Sequence, residues 1–310
     1  MIDLEPINQT KLFGFDKKIS ELFKLFDSGK YPNKLLLSGK KGSGKSTLAY
    51  HFINYVLSKN ESFRYDKDNF QINPNSPTFK TLINKSNPNL NLIDVTPDKK
   101  FIDINQIREL ISNLNKSSFN SKPRFVLIDN IELLNINSIN ALLKVLEEPN
   151  NNVNFILINN NKKILPTLLS RCINYNISLT NKESLVIANE LLNGKLIETI
   201  NNDLINYYTT PGNIVNLAKF GKLYKYDLIN YDLKKLLKII INKNHYKKDT
   251  LIKHMVFDLM EFYFRKINST FSLNINQKYR YFLKKVSDTK NYNLDEESLF
   301  MEFDEEVLNG

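Results

Sequence analysis

Eight consecutive residues, Gly39-Lys40-Lys41-Gly42-Ser43-Gly44-Lys45-Ser46, constrain the fold of this chain more than any other feature. They fit the pattern G-x-x-x-x-G-K-[ST]. The apolar run Leu35-Leu36-Leu37-Ser38 precedes them as a short strand, and Thr47 to Leu57 follows with apolar residues at helical spacing. Strand, glycine-rich turn and helix form the context this motif needs. The glycines let backbone N–H groups curl around phosphate oxygens, and the helix N-terminus adds partial positive charge. Lys45 is placed to reach terminal phosphates, and Ser46 to hold Mg²⁺. Gly39, Gly42, Ser43, Gly44 and Thr47 complete the expected cradle. The alternative is a glycine turn that binds nothing, which leaves the flanking strand and helix without a purpose.

The chain around this loop reads as α/β. Leu90 to Val95 reads as a short strand, and Phe125 to Asp129 and Phe155 to Ile158 are short apolar runs typical of buried parallel strands. Ile104, Ile107, Ile111 and Leu114 share one helix face, and Asn140 to Glu148 reads as a helix stopped by Pro149. Strands alternating with helices indicate a parallel sheet. The stretch from about 58 to 90 is polar, rich in Asn and Pro, and poorly patterned. Beyond about residue 180 no strand is expected. Lys182 to Leu192 and Asn213 to Phe220 read as helices around a Thr210-Pro211-Gly212 turn. From 223 onward, periodic apolar and Lys-rich segments suggest a helical bundle, with an acidic tail from Asp295 to Glu306.

Asp129 ends an apolar strand, where a Mg²⁺-binding carboxylate is expected beside a phosphate loop; its plainer reading is a strand-end turn residue. Hydrolysing versions of such a strand usually end Asp-Glu, the glutamate polarising the attacking water. Here Asn130 follows, and an amide does not take a proton from water. Glu132 lies two residues on, an offset expected to point it elsewhere. Binding therefore reads as intact and hydrolysis as impaired. Asn159 and Asn160 end the run after Phe155, so one of them is the candidate for a polar group sensing the terminal phosphate.

Composition excludes several classes. The single Cys172 leaves no disulfide framework and no multi-cysteine zinc module. No apolar run is long enough for a bilayer, and Met1 to Pro6 lacks the apolar core of a signal peptide, so a cytoplasmic protein is expected. The formal net charge of +10 suits a polyanionic partner such as nucleic acid. Equally, Asn, Lys and Ile are abundant throughout, as an AT-rich genome produces.

Two further stretches carry a family resemblance. Asn140-Ala141-Leu142-Leu143-Lys144-Val145-Leu146-Glu147-Glu148-Pro149 resembles the N-A-L-L-K-x-L-E-E-P helix of clamp-loader AAA+ proteins, and Leu165 to Cys172 resembles the segment ending in their Ser-Arg-Cys motif. The order of motifs is also theirs, over roughly residues 10–220. The resemblance implies a RecA-like AAA+ P-loop domain with a parallel sheet over 1–178, a small helical lid over 179–222 and an all-α collar over 223–310. It implies ATP or ADP with Mg²⁺ as ligand. It implies assembly with motor and delta-type subunits in a hetero-oligomeric ring, and through that ring contact with a sliding clamp and primer-template DNA. Arg171 then takes the role of an arginine finger, donated to the nucleotide site of a neighbouring subunit; the plainer reading is a local ion pair. Cys172 reads as a small apolar residue.

Departures from the family pattern choose among its members. No zinc module follows the phosphate loop, and Asn213 stands just after Thr210-Pro211-Gly212, where hydrolysing members carry a sensing Arg. The loss of the water-activating glutamate at Asn130 and of that sensing Arg, with Arg171 kept, resembles the delta-prime branch of the bacterial replicative polymerase's loader. The alternatives are a hydrolysing motor subunit of gamma/tau type and a stand-alone P-loop phosphotransferase, the latter leaving Arg171 unexplained.

Overall fold

The computed structural model describes residues 5–309 except 97–98, 100, 117–118, 148–151, 206–208, 249, 268–272 and 293. Glu148 and Pro149, the end of the Asn140 motif, lie outside the described residues. Two compact units are present, one of residues 1–190 with 210–212, the other of 191–209 with 213–310.

In the first unit five parallel strands form one sheet in the order β2-β3-β4-β1-β5. They are β1 (Lys34–Ser38), β2 (Leu90–Ile93), β3 (Arg124–Ile128), β4 (Val153–Asn159) and β5 (Ile173–Asn176). Alternation along the strands divides the core. Leu35, Leu37, Phe125, Leu127, Ile156 and Ile158 face one side, where they pack with Ile19, Leu22 and Phe23 of α1 (Asp16–Asp27) and Phe52, Ile53 and Val56 of α2 (Lys45–Leu57). Phe79 and Leu82 of α3 (Pro77–Ile83) join that face. Leu36, Val126, Ile128, Phe155 and Leu157 face the other, with Ile107, Leu110 and Leu114 of α4 (Ile104–Leu114) and Leu142 and Leu146 of α5 (Ile136–Glu147). The product is a three-layer α/β/α stack, as the apolar runs imply. Each fully buried Leu or Phe contributes about 1.5–3 kcal/mol.

Several elements escape the sequence reading. In the poorly patterned stretch, α3 forms because Ser76 caps it by accepting from Phe79 N at 3.2 Å and Pro77 opens its first turn. Helix α1 is amphipathic but precedes the first motif. Strand β5, Ile173-Asn174-Tyr175-Asn176, lies at a sheet edge with Ile173 exposed, so it lacks the apolar run that marks the buried strands. The short helix α6 (Pro166–Leu169) leads into it, and α7 (Asn181–Leu191) follows.

The second unit is helical. It holds α8 (Leu196–Thr199), α9 (Pro211–Tyr224) from residue 213 on, α10 (Leu233–Asn242), α11 (His245–Lys248), α12 (Thr250–Ile267), α13 (Leu273–Tyr292) and α14 (Glu296–Phe303). Helix α10 buries Leu233, Leu236, Leu237, Ile240 and Ile241 along one stripe and is capped by Asp232, which accepts from Lys235 N at 2.7 Å. Aromatic rings cluster elsewhere in this core. Phe264, Phe282 and Phe303 meet pairwise at 5.5–5.7 Å between centroids, and Phe300 lies 5.0 Å from Phe257. The acidic tail is α14, whose Glu296 and Glu297 pair with Lys253 and Lys247 at 2.9 and 2.7 Å. None of the described helices is long and apolar enough to cross a membrane.

Candidate functional site

The phosphate-loop motif joins the C-terminal end of β1 to the first turn of α2. Two glycines are required by what surrounds them. Gly39 lies against the chain after β5, where a Cβ would stand 2.2 Å from Ile177 O. Gly44 caps α2 with φ +91°, and a Cβ there would meet the Phe15 ring at 2.9 Å. Ser43 Oγ is buried within the loop and has no hydrogen-bond partner among the described residues. Thr47 follows in the first turn of α2, half-buried.

Lys45 is only 3% exposed. Its Nζ donates to Gly39 O at 2.9 Å and to Lys40 O at 2.7 Å, folding the side chain back over the loop. Burial pulls its ammonium down to about 8, against the opposing pull of Asp129 and Glu132. Ser46 Oγ donates to Asp129 Oδ2 at 2.6 Å. Burial raises the Asp129 carboxyl above its ordinary value, only partly offset by that hydrogen bond. The loop thus holds a buried ammonium and a buried carboxylate whose mutual attraction does not offset their burial. Both costs are ones that an anionic phosphate bearing a divalent cation relieves.

Asp129 follows β3 as Asp94 follows β2. The segments Leu92-Ile93-Asp94 and Leu127-Ile128-Asp129 run in register, Leu92 beside Leu127 and Ile93 beside Ile128, and Asp129 N donates to Ile93 O at 2.9 Å. Two carboxylates therefore emerge side by side. The repeated Leu-Ile-Asp was the available signal for Asp94, which the sequence reading passed over.

Beyond Asp129 the backbone turns sharply. Asn130 adopts the left-handed conformation at φ 54°, and Ile131–Leu133 forms a 3₁₀ turn. Glu132, expected to point elsewhere, is brought back to the strand ends by this turn. Its Oε2 accepts from Asn160 N at 3.2 Å and its Oε1 from Asn160 Nδ2 at 3.0 Å. Asn160 Nδ2 also donates to Asn130 Oδ1 at 2.8 Å, and Asn130 Nδ2 donates to Asp94 Oδ1 at 2.8 Å. Asp94, Asn130, Asn160 and Glu132 form a polar belt across the ends of β2, β3 and β4. Of the two asparagines ending β4, Asn160 joins this belt. Asn159 reaches the loop through its backbone, its O accepting from Gly39 N at 3.2 Å, while its side chain closes a local turn with Lys162.

The Thr210-Pro211-Gly212 segment closes onto the loop. Thr210 Oγ1 donates to Lys41 O at 2.9 Å and Gly212 N to Gly42 O at 3.0 Å. Pro211 is the first residue of α9, a position that tolerates its missing N–H, so this turn is a helix start. Asn213 is the third residue of that helix.

Arg171 follows α6. It donates through Nη1 to Thr167 O at 2.7 Å and pairs through Nη2 with Glu147, the last residue of α5. Its Nε is buried without a partner among the described residues. The Cys172 thiol is pushed up to about 11 by burial, so it stays protonated and inert.

The family model described as DNA polymerase III, delta subunit, matches residues 15–181. Among curated relatives, the DNA polymerase III subunit gamma of Buchnera aphidicola subsp. Schizaphis graminum is 29% identical over 185 residues, covering 58% of this chain and 47% of that protein. The subunit delta' of the same organism is 25% identical over 291 residues, covering 88% and 84%. The Bacillus subtilis subunit delta' is 27% identical over 152 residues, covering 49% and 44%. The chain spans 41–47% of the length of the first relatives it matches. Among solved structures, a gamma subunit-related protein from Thermotoga maritima superposes with a TM-score of 0.51 at 17% identity, covering 92% of this chain and 96% of that one, and shares its fold.

Proposed function

We propose that this chain, which belongs to the DNA polymerase III delta-subunit family, acts as a delta-prime-type subunit of a clamp loader. It binds ATP or ADP with Mg²⁺, lends Arg171 to a neighbouring ATPase subunit, and helps place a sliding clamp on primed DNA. One observation carries this reading: the phosphate loop is complete, with Lys45 buried and Ser46 hydrogen-bonded to Asp129, whereas the residue after Asp129 is an amide. The chain keeps what holds a nucleotide and lacks the usual water activator. The gamma/tau-type motor shares the loop and Arg171 but needs that activator, so Asn130 favours the delta-prime reading.

The residues fit the ligand. Lys45, turned from the carbonyls of Gly39 and Lys40, reaches terminal phosphates. Ser46 and Asp129 provide oxygens for Mg²⁺, which proteins commonly hold through one or two side chains together with phosphates. The bound ion supplies charge neutralisation at the phosphates. Arg171 leaves an exposed pairing with Glu147 at little cost, since such pairs contribute about 0–1 kcal/mol. The working division is a nucleotide domain to 178, a lid to 222 and a collar to 310 that joins motor and delta-type neighbours in a ring working in the cytoplasm. DNA contact through that ring is mostly to phosphates.

Calorimetry on the full chain tests the reading. Mg·ATP or Mg·ADP binds the wild type, and Lys45→Ala weakens binding by roughly 10- to 100-fold, the value of a charge-assisted hydrogen bond. Equal affinity in both proteins, or no binding to the wild type, rules out a nucleotide-holding loop.

A further inference from the structure

A second group of rings in the helical unit lies outside its buried core. Tyr224, at the end of α9, stacks on Tyr226 at 6.1 Å between centroids, and Tyr226 lies 6.1 Å from Tyr231. His245 of α11 packs 4.0 Å from Tyr224 and 5.7 Å from Tyr226. The three tyrosines are only half-buried, unlike Phe282, Phe300 and Phe303. Two lysines lie on these rings: Lys243 Nζ stands 5.1 Å from the centroid of Tyr226 and Lys235 Nζ 4.3 Å from that of Tyr231. Neither makes an ion pair among the described residues. A ring face attracts an ammonium through its quadrupole and leaves the charge in place, whereas an ion pair cancels it. The rings therefore hold two cations over adjoining surfaces without neutralising them.

The surrounding residues add to this field. Positions 219–248 hold nine lysines and two aspartates, a surplus of seven in a chain whose net charge is +10. Both aspartates are engaged at turns, Asp232 by Lys235 N at 2.7 Å and Asp227 by Ile229 N at 3.2 Å and Asn230 Nδ2 at 2.6 Å. Burial first, and then Lys248 and Lys243, hold the His245 imidazole below its ordinary range, as uncancelled lysine charge requires. Compositional bias raises lysine along the whole chain; it does not gather lysine where acids are sparse and rings are open. We infer that this surface, from the end of α9 through α10 to α11, binds single-stranded DNA, with Lys235 and Lys243 on its phosphates and Tyr224 stacked on an unpaired base. A duplex hides its base faces and an acidic peptide offers carboxylates, so the open rings favour the single strand over both. The inference goes beyond contact made through an assembled ring, because this chain alone suffices, and it does not rest on the phosphate loop.

Fluorescence anisotropy of a labelled oligothymidylate with the full chain, without nucleotide and over a salt series, tests this. Wild type binds, and log affinity falls linearly with log salt. Lys235→Gln with Lys243→Gln lowers that slope by about 1.4, the value of two phosphate contacts on a single strand. Tyr224→Leu, checked for folding by circular dichroism, weakens binding about fivefold or more, the value of one stacked base. Lys17→Gln with Lys24→Gln, an exposed pair on α1, removes the same charge elsewhere and leaves the slope unchanged. Equal losses from both lysine pairs make net charge responsible and overturn the site, as does failure of wild type to bind. Displacement of the strand by polyglutamate at equal charge, with folded Tyr224→Leu binding like wild type, assigns the surface to acidic proteins and refutes the inference. Lys45→Ala binds the strand as wild type does, so a failure here leaves the nucleotide reading standing.

Discussion

The two compact units differ in what their buried side chains arrange. In the first, alternation along five parallel strands sends apolar residues to both faces and fixes the register of the strand ends, so Asp94, Asp129 and Asn160 emerge at neighbouring positions. In the second, Phe257, Phe264, Phe282, Phe300 and Phe303 pack helix on helix, and its acidic helix α14 is neutralised by lysines. Backbone hydrogen bonds between strands are directional and set positions closely, whereas apolar packing is non-directional and fills volume. Chemistry that needs a few groups placed within hydrogen-bond reach therefore belongs to the first unit. The second unit is held instead by apolar packing, the aliphatic stripe of α10 together with these rings.

That contrast can be broken, most severely at Arg171. If the first unit carries the chemistry, Arg171→Ala in a reconstituted loader lowers the ATPase stimulated by clamp and primed DNA. At the one motor site facing it the loss is about a thousandfold, the scale of an arginine finger. Nucleotide binding by the isolated chain and assembly of the complex stay unchanged. A stimulated ATPase that ignores the substitution leaves Arg171 as the local partner of Glu147.

Next in size is a core substitution in the second unit. Phe300 is fully buried between Tyr246 and Phe257, at centroid distances of 4.8 and 5.0 Å. Phe300→Ala costs about 3–5 kcal/mol of that unit's stability. Calorimetric scanning should show the second unit's unfolding moved to lower temperature while Mg·ATP affinity is kept. Loss of nucleotide binding in the folded variant would show that the division of labour between the units is wrong.

The smallest effect sharpens the comparison by pH. Asp27, at the end of α1, accepts from Tyr55 and from Lys59 and Lys67 at 3.0 and 3.1 Å. Burial pushes its carboxyl up, but these donors outweigh it and bring it down to about 2. A carboxylate whose pKa is depressed on folding stabilises above its unfolded value, ordinarily 3.8, and that stability is lost as pH falls through the folded value near 2. Thermal melts of wild type and Asp27→Asn should differ at neutral pH and converge between about 4 and about 2. The exposed setting of the lysines keeps the difference small and salt-sensitive. A gap that persists below that window assigns the effect to packing around Tyr55.

Local sequence determined the phosphate loop, the buried strands and the stripe of α10, because each is written in contiguous residues with a period of its own: glycine spacing, an apolar run, or the helical repeat. Asn130 in place of a glutamate was equally legible, since identity alone decides whether a group takes a proton. The edge strand β5 was not, because most of its residues lie exposed and it has no apolar run to mark it. Nor was the polar belt. Asp94 and Asn130 are 36 residues apart and meet only through strand pairing, and Glu132 reaches Asn160 only because Asn130 takes a left-handed turn. Residue identity fixes what a group can do chemically. Which groups share a hydrogen bond depends on distances that only the packed sheet sets.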